Sequence, residues 1–210
     1  MPIPSVKFMS WLREARSFRW PLAACVIISI NLLAWLAVAW AFGLSPFARQ
    51  HSVLLLRAGA VNWQLLSEGQ WWRIITSQFL HVNLPHMLFN MLALLLLGGM
   101  LERDLGAWRL LTLYFVSGLV GQLMGVAATP ALVSSGASQA VMGLAGGVSS
   151  GLLLHRHSKQ RARLFILLIF VCTQFGLDLV TAGHIKAGHW GGFLSGAIIG
   201  YLLYRQKKGA

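Results

Sequence analysis

Gly136-Ala137-Ser138-Gln139-Ala140-Val141-Met142-Gly143, carried on by Gly147 and Gly151, is the stretch that decides how this chain folds. A second stretch, Gly188-His189-Trp190-Gly191-Gly192, carried on by Gly196 and Gly200, follows the same plan. Each is apolar, each opens on one reactive polar side chain, and each repeats glycine at every fourth position. Residues four apart share a helix face, so each stretch predicts a helix with a bare stripe along one side. In lipid, small residues of this kind let helix backbones approach closely. The two stretches therefore predict a pair of tightly packed helices in a membrane.

The rest of the chain agrees. Of its 210 residues, 57% are hydrophobic and only 10% are charged. A water-soluble domain has no way to bury that much apolar surface. Six apolar stretches stand out, at about 21–43, 86–101, 110–128, 138–154, 164–182 and 189–204. Several are shorter than the ~20 residues of a perpendicular span, as expected where a helix end lies below the membrane surface under a cover of protein.

The net charge of +12 invites a nucleic-acid partner, and its placement argues against one. With a cytoplasmic N-terminus and six spans, the inner regions hold Lys7, Arg13, Arg16, Arg19, Arg103, Arg109, Arg156, Lys159, Arg161, Arg163, Arg205, Lys207 and Lys208. The outer regions hold Arg49, Arg57, Arg73 and Lys186. Thirteen against four is the positive-inside pattern. The chain divides into a basic cytoplasmic segment at 1–20, a six-span domain at 21–204 and a basic cytoplasmic tail at 205–210. Cys25 and Cys172 lie inside spans, so no disulfide framework is indicated. The apolar run after Cys25 reads as an uncleaved anchor. The connection from Leu44 to Pro85 is long and rich in tryptophan, which suits the outer interface.

Spans four and six run in the same direction. Ser138 lies five residues above Gly143, and His189 three above Gly192. At the helical rise, the mismatch in height is about 3 Å, which side chains absorb. A serine beside a histidine is a nucleophile beside its base. Ser138 to Leu154 makes about 25 Å of helix, against a hydrocarbon core of about 30 Å. With Arg156 at the inner boundary, Ser138 lies several ångströms below the outer one. Polar groups at such depth are costly and mark function. His81, His86 and Asn90 cluster at the outer end of span two, with His86 and Asn90 four apart on one face. They read either as donors to a developing oxyanion, together with the Ser138 N–H, or as partners in helix-end hydrogen bonds. Asp178 reads as a polar residue near the outer end of span five, with a third member that orients His189 as the other reading; His184 reads as a solvated loop residue, with a competing base as the other reading.

At this point the motifs resemble a family. His81-x4-His86-x3-Asn90, Gly136-x-Ser138 and Gly188-His189-x-x-Gly192 are similar to the signature of rhomboid intramembrane serine proteases. Trp72-Arg73 and Glu102-Arg103 resemble two further motifs of that family. The resemblance covers roughly 60–204. It implies an all-α membrane protein with a six-transmembrane-helix rhomboid-like bundle of the bacterial type. By the same resemblance Ser138 is the nucleophile and His189 the base, a dyad without a carboxylate. His86, Asn90 and the Ser138 N–H form the oxyanion hole, and Gly146 is the small residue that packs spans four and six. Gly136, Gly143, Gly192 and Gly196 complete the packing near the site.

The implied activity is serine endopeptidase cleavage of single-pass transmembrane proteins near the outer membrane face, with no cofactor and no metal. Partners are the transmembrane segments of substrates and the lipid bilayer, with no nucleic acid; the location is the plasma membrane, with both termini cytoplasmic. Two departures stand out: Gln139 occupies the place where the family usually has glycine, and Met142 the place where some relatives have tyrosine. The alternative is a non-catalytic rhomboid-like protein that binds transmembrane helices. Metal transport is disfavoured, because the chain has only five acidic residues.

Overall fold

A computed structural model describes residues 20–155 and 159–209 of the chain. Residues 1–19 of the basic segment at 1–20 and residues 156–158 lie outside the described residues, as does Ala210 at the end of the tail. In chain order the helices are α1 (Leu22–Ala41), α2 (Ser52–Ala58), α3 (Trp63–Ser67), α4 (Arg73–Thr76), α5 (Leu84–Ala93), α6 (Gly99–Leu105), α7 (Ala107–Ala128), α8 (Ser138–Leu154), α9 (Gln160–Ala182) and α10 (Ala187–Gly209). A π-helical turn, Leu94–Gly98, joins α5 to α6 into one rod. Among the described residues the β content is one isolated bridge, Val61 to Ser134. This is an all-α membrane bundle. Four helices are long and apolar enough to cross a membrane: α1, the α5–α6 rod, α7 and α9. Helix α8 is apolar but has 17 residues.

The short helix is the central one. Of its 17 residues, 13 are buried. Helices α7 and α10 pack along it, and Leu94, Leu97, Leu101, Leu110 and Leu113 join its own Leu144 in the core. Helix α9 is the opposite case: of its 23 residues only Leu167, Phe170, Gln174 and Asp178 are buried. Their spacing of three, four and four is a single helical stripe facing inward. Its other faces carry exposed Phe165, Leu168, Ile169 and Val180, apolar surface that suits lipid and not water.

Several local features fix the ends. Asn83 caps α5 by accepting from the His86 N–H at 2.9 Å, and Pro85 sits in the first turn, where its missing N–H costs nothing. The helix therefore begins two residues before the apolar run at 86. Glu102 caps a different helix from its own. Its two carboxylate oxygens each accept from the start of α1, at 3.0 Å from the N atoms of Ala23 and Ala24. The carboxylate thus meets unpaired N–H groups at a helix N-terminus. Asp104 supplies an ion pair, gripping Arg163 of α9 at 2.5 and 2.9 Å and accepting from the Tyr204 hydroxyl of α10 at 2.8 Å.

The connection before α5 is folded, not loose. The Arg73 guanidinium donates to the carbonyls of Leu56 and Ala60 at 2.6 and 2.9 Å, and to Gln70 at 2.7 Å. It also lies 4.5 Å over the Trp72 ring. One cation thus ties α4 to α2 and to the loops on either side of α3, which gives this basic residue a structural task.

Candidate active site

The site is built from the turn that precedes α8. Gly136 has φ of +120°, in the region that favours glycine, and its N–H donates to the Ser77 carbonyl at 2.9 Å. A side chain there would also press on the His86 ring, 2.9 Å from its Cε1. The next N–H, of Ala137, donates to Nε2 of buried His81 at 3.4 Å. Ser138 then opens α8. As a first-turn residue it has an N–H with no intrahelical partner.

Glycine brings the second helix to it. A Cβ on Gly192 would strike the Gln139 carbonyl, one on Gly196 the Gly143 carbonyl, and one on Gly146 the Phe193 carbonyl. Helices α8 and α10 are therefore in backbone contact, as the stripes predict. Gly143 serves a third helix too, since a Cβ there would strike the Ser117 hydroxyl of α7. Gly147 meets Gly200, with 2.7 Å left for a Cβ.

This packing sets His189, in the first turn of α10, against Ser138. Nε2 lies 2.9 Å from Oγ, and both residues are buried. On the far side of the ring, Nδ1 lies 2.6 Å from Asp178 Oδ2. The dyad implied by resemblance is thus joined by a carboxylate. Asp178 also accepts from the Lys186 N–H at 3.1 Å and from Gln174 Nε2 at 3.4 Å, with Lys186 Nζ 3.6 Å away. A fully buried carboxylate needs such partners to stay charged. Facing that carboxylate, Nδ1 carries the proton and donates, which leaves the Nε2 lone pair toward Ser138. Of the two sequence readings of Asp178, this contact favours the one that sets it against His189 over the one that makes it a polar residue at a helix end. The signal was present: Asp178 continues the stripe Leu167, Phe170, Gln174, and so faces inward with Gln174.

The other expected residues gather nearby, with one difference. His86 stacks edge-on against His81, with 5.4 Å between ring centroids, and its ring borders Gly136 beside Ser138. Asn90 is buried, but its Nδ2 donates to the His86 carbonyl at 3.0 Å, so one of its amide hydrogens is spent within its own helix. His184 is exposed, as expected of a loop residue. His81 lies outside the spans. Burial first, and then the neighbouring His86, push its imidazole down to about 3, against a raising contribution from the Phe79 backbone. It is neutral at ordinary pH and serves as an acceptor for the Ala137 N–H. Among the described residues, no group of three or more His, Cys, Asp or Glu side chains converges to hold a metal.

A family model for the Rhomboid domain matches residues 68–206, more than half of the chain. The chain belongs to the rhomboid family. The match contains Ser138, His189, Asp178, His86 and Asn90. This rhomboid chain is 32% identical over 183 residues to YdcA of Bacillus subtilis (strain 168), covering 84% of itself and 88% of that protein. It is 32% identical over 164 residues to RHOMBOID-like protein 7 of Arabidopsis thaliana, covering 77% of itself and 52% of that protein. It is 30% identical over 156 residues to Rhomboid protease GluP of Bacillus subtilis, covering 74% of itself and 31% of that protein. The chain thus spans about half or less of the length of several curated relatives. Family and apolar helices together make it a multi-pass membrane protein.

Proposed function

We propose that this rhomboid is an intramembrane serine endopeptidase that cleaves single-pass transmembrane proteins near the outer membrane face. The observation that carries the reading is the line Ser138 Oγ, His189, Asp178, with gaps of 2.9 and 2.6 Å. Ser138 attacks the substrate carbonyl while His189 Nε2 takes the hydroxyl proton and later gives it to the leaving amine. The resulting acyl-enzyme is released by water activated through the same histidine. Asp178 holds the imidazole in the tautomer this needs and favours the imidazolium as it forms. The Ser138 N–H, with His86 and the second Asn90 hydrogen, supports the developing oxyanion. Gly136, Gly143, Gly146, Gly192 and Gly196 keep the two helices close enough for the transfer.

The charge asymmetry supports six spans in a plasma membrane with both termini cytoplasmic, and a protease domain at 21–204 flanked by basic segments at 1–20 and 205–210. Substrate reaches buried Ser138 from the lipid, and its scissile segment must leave the helix, because helical carbonyls are engaged in internal hydrogen bonds. A serine-directed fluorophosphonate tests the reading: the wild-type chain takes the label and the Ser138→Ala chain does not. Equal labelling of the two overturns it and leaves the non-catalytic, helix-binding reading.

A further inference from the structure

Gln139 stands next to the nucleophile, and its side chain does not point to lipid. It is buried against a bare wall made by Gly121 of α7 and Gly188. A Cβ on Gly121 would come within 2.7 Å of the Gln139 Cβ, and one on Gly188 within 3.3 Å of its Cγ. The wall makes room for the long side chain and turns it toward the turn before α8.

Four hydrogen bonds then run in series. Ser138 Oγ lies 3.2 Å from Gln139 Oε1. Gln139 Nε2 lies 3.2 Å from Ser134 Oγ. Ser134 Oγ lies 2.5 Å from Gln122 Oε1. Gln122 Nε2 lies 3.4 Å from the Gly136 carbonyl oxygen. The last group fixes the direction of all the others. A carbonyl oxygen only accepts, so Gln122 presents its NH2 to Gly136 and its oxygen to Ser134. Ser134 must then donate its only hydroxyl proton to Gln122 and accept from Gln139. Gln139 is left presenting its oxygen, not its NH2, to Ser138.

Ser138 has one hydroxyl proton and two acceptors, His189 Nε2 at 2.9 Å and Gln139 Oε1 at 3.2 Å. We propose that Gln139 is a positioning residue that holds the Ser138 proton away from His189 and so restrains the nucleophile at rest. This rests on the serine protease reading above. In acylation the Oγ–carbon bond forms and the Oγ proton passes to His189 Nε2. The bond to Gln139 must break for that, and its oxygen is left facing an ester oxygen that has no proton to give. Gln139 therefore stabilises the resting state and not the acylation transition state, a difference that lowers the rate and leaves substrate binding alone.

The test compares fluorophosphonate labelling rates and the kcat and KM of substrate cleavage in the purified full chain. Gln139→Met keeps the length of the side chain and removes the acceptor. A neutral hydrogen bond of ordinary strength predicts labelling and kcat about three- to tenfold faster, with KM unchanged. Gln139→Glu keeps an acceptor toward Ser138 and should stay at the wild-type rate or below. Ser134→Ala removes the group that locks the amide and should also quicken labelling, by less. Damage to packing would slow these reactions, not speed them. Wild-type or slower rates in the Gln139→Met chain overturn the proposal; if that chain does not fold, an unaccelerated Ser134→Ala chain overturns it. Absence of labelling in every chain that retains Ser138 overturns the protease reading, and this inference with it.

Discussion

The Asp178 carboxylate and the His189 imidazole meet at 2.6 Å, Oδ2 to Nδ1, where the outward-exposed helix α9 turns its one buried stripe toward α10. The same oxygen accepts from the Lys186 N–H just before α10 begins. One buried group thereby holds the imidazole and ties down the start of the helix that carries it. Asp178→Asn retains an acceptor for Lys186 but lets the imidazole settle in the wrong tautomer. Turnover should fall by about 10²–10⁴ with little change in KM. The kinetics of a purified, folded Asp178→Asn chain decide this; a loss of less than about twofold would make Asp178 a helix-end residue only.

His86→Ala and Asn90→Ala should each lower kcat, by about 10²–10³ if each removes one oxyanion donor. Asn90 already spends one amide hydrogen on the His86 carbonyl, so its effect should be the smaller. A change confined to KM in both variants would reduce the pair to shaping the end of α5.

His81 sets a pH limit on stability. Its imidazole falls from 6.5 in the unfolded chain to about 3 in the folded one. Between those values the unfolded chain binds a proton that the folded chain refuses, so stability declines as pH falls through that window. The unfolding midpoint in detergent should drop between about pH 7 and about pH 4.5. In His81→Gln, which keeps an acceptor for Ala137, the drop should be shallower. Parallel curves for the two chains would contradict the assignment.

Gly146→Val places a side chain against the Phe193 carbonyl and the Ala197 N–H, backbone that has no rotamer to yield. It should destabilise by about 1–3 kcal/mol or more, and separate Ser138 from His189. Gly176→Ala on α9, where a Cβ meets nothing within 4 Å, is the control and should be neutral. Equal unfolding midpoints for the two variants would mean that α8 and α10 do not depend on bare glycine.

Much of this arrangement is readable in the chain because membrane packing writes itself in small residues. The fourfold glycine spacing in 143–151 and 192–200 identifies the helices that touch, and the polar residue heading each stripe marks the candidate site. Asp178 was harder to read, because a lone acid in an apolar helix has no local sequence partner. Only the stripe it shares with Leu167, Phe170 and Gln174 gives its direction. The sequence shows that Gln139 has a long polar side chain able to hydrogen-bond beside Ser138, but the groups that Glu102 and Gln139 meet were not legible in it. Their partners, the N-terminus of α1 and the pair Ser134 and Gln122, are set by tertiary packing and not by spacing.

The central claim is that Ser138 and His189 act as one unit on a transmembrane substrate. The direct measurement is cleavage of a single-pass substrate co-reconstituted in proteoliposomes, with the cut bond located by mass spectrometry. The account predicts one cut near the outer end of the substrate's span by the wild-type chain, and none by Ser138→Ala, His189→Ala or the double variant, with the double no worse than either. Cleavage by the Ser138→Ala chain at the wild-type position, or a cut confined to the substrate's soluble part, would contradict it.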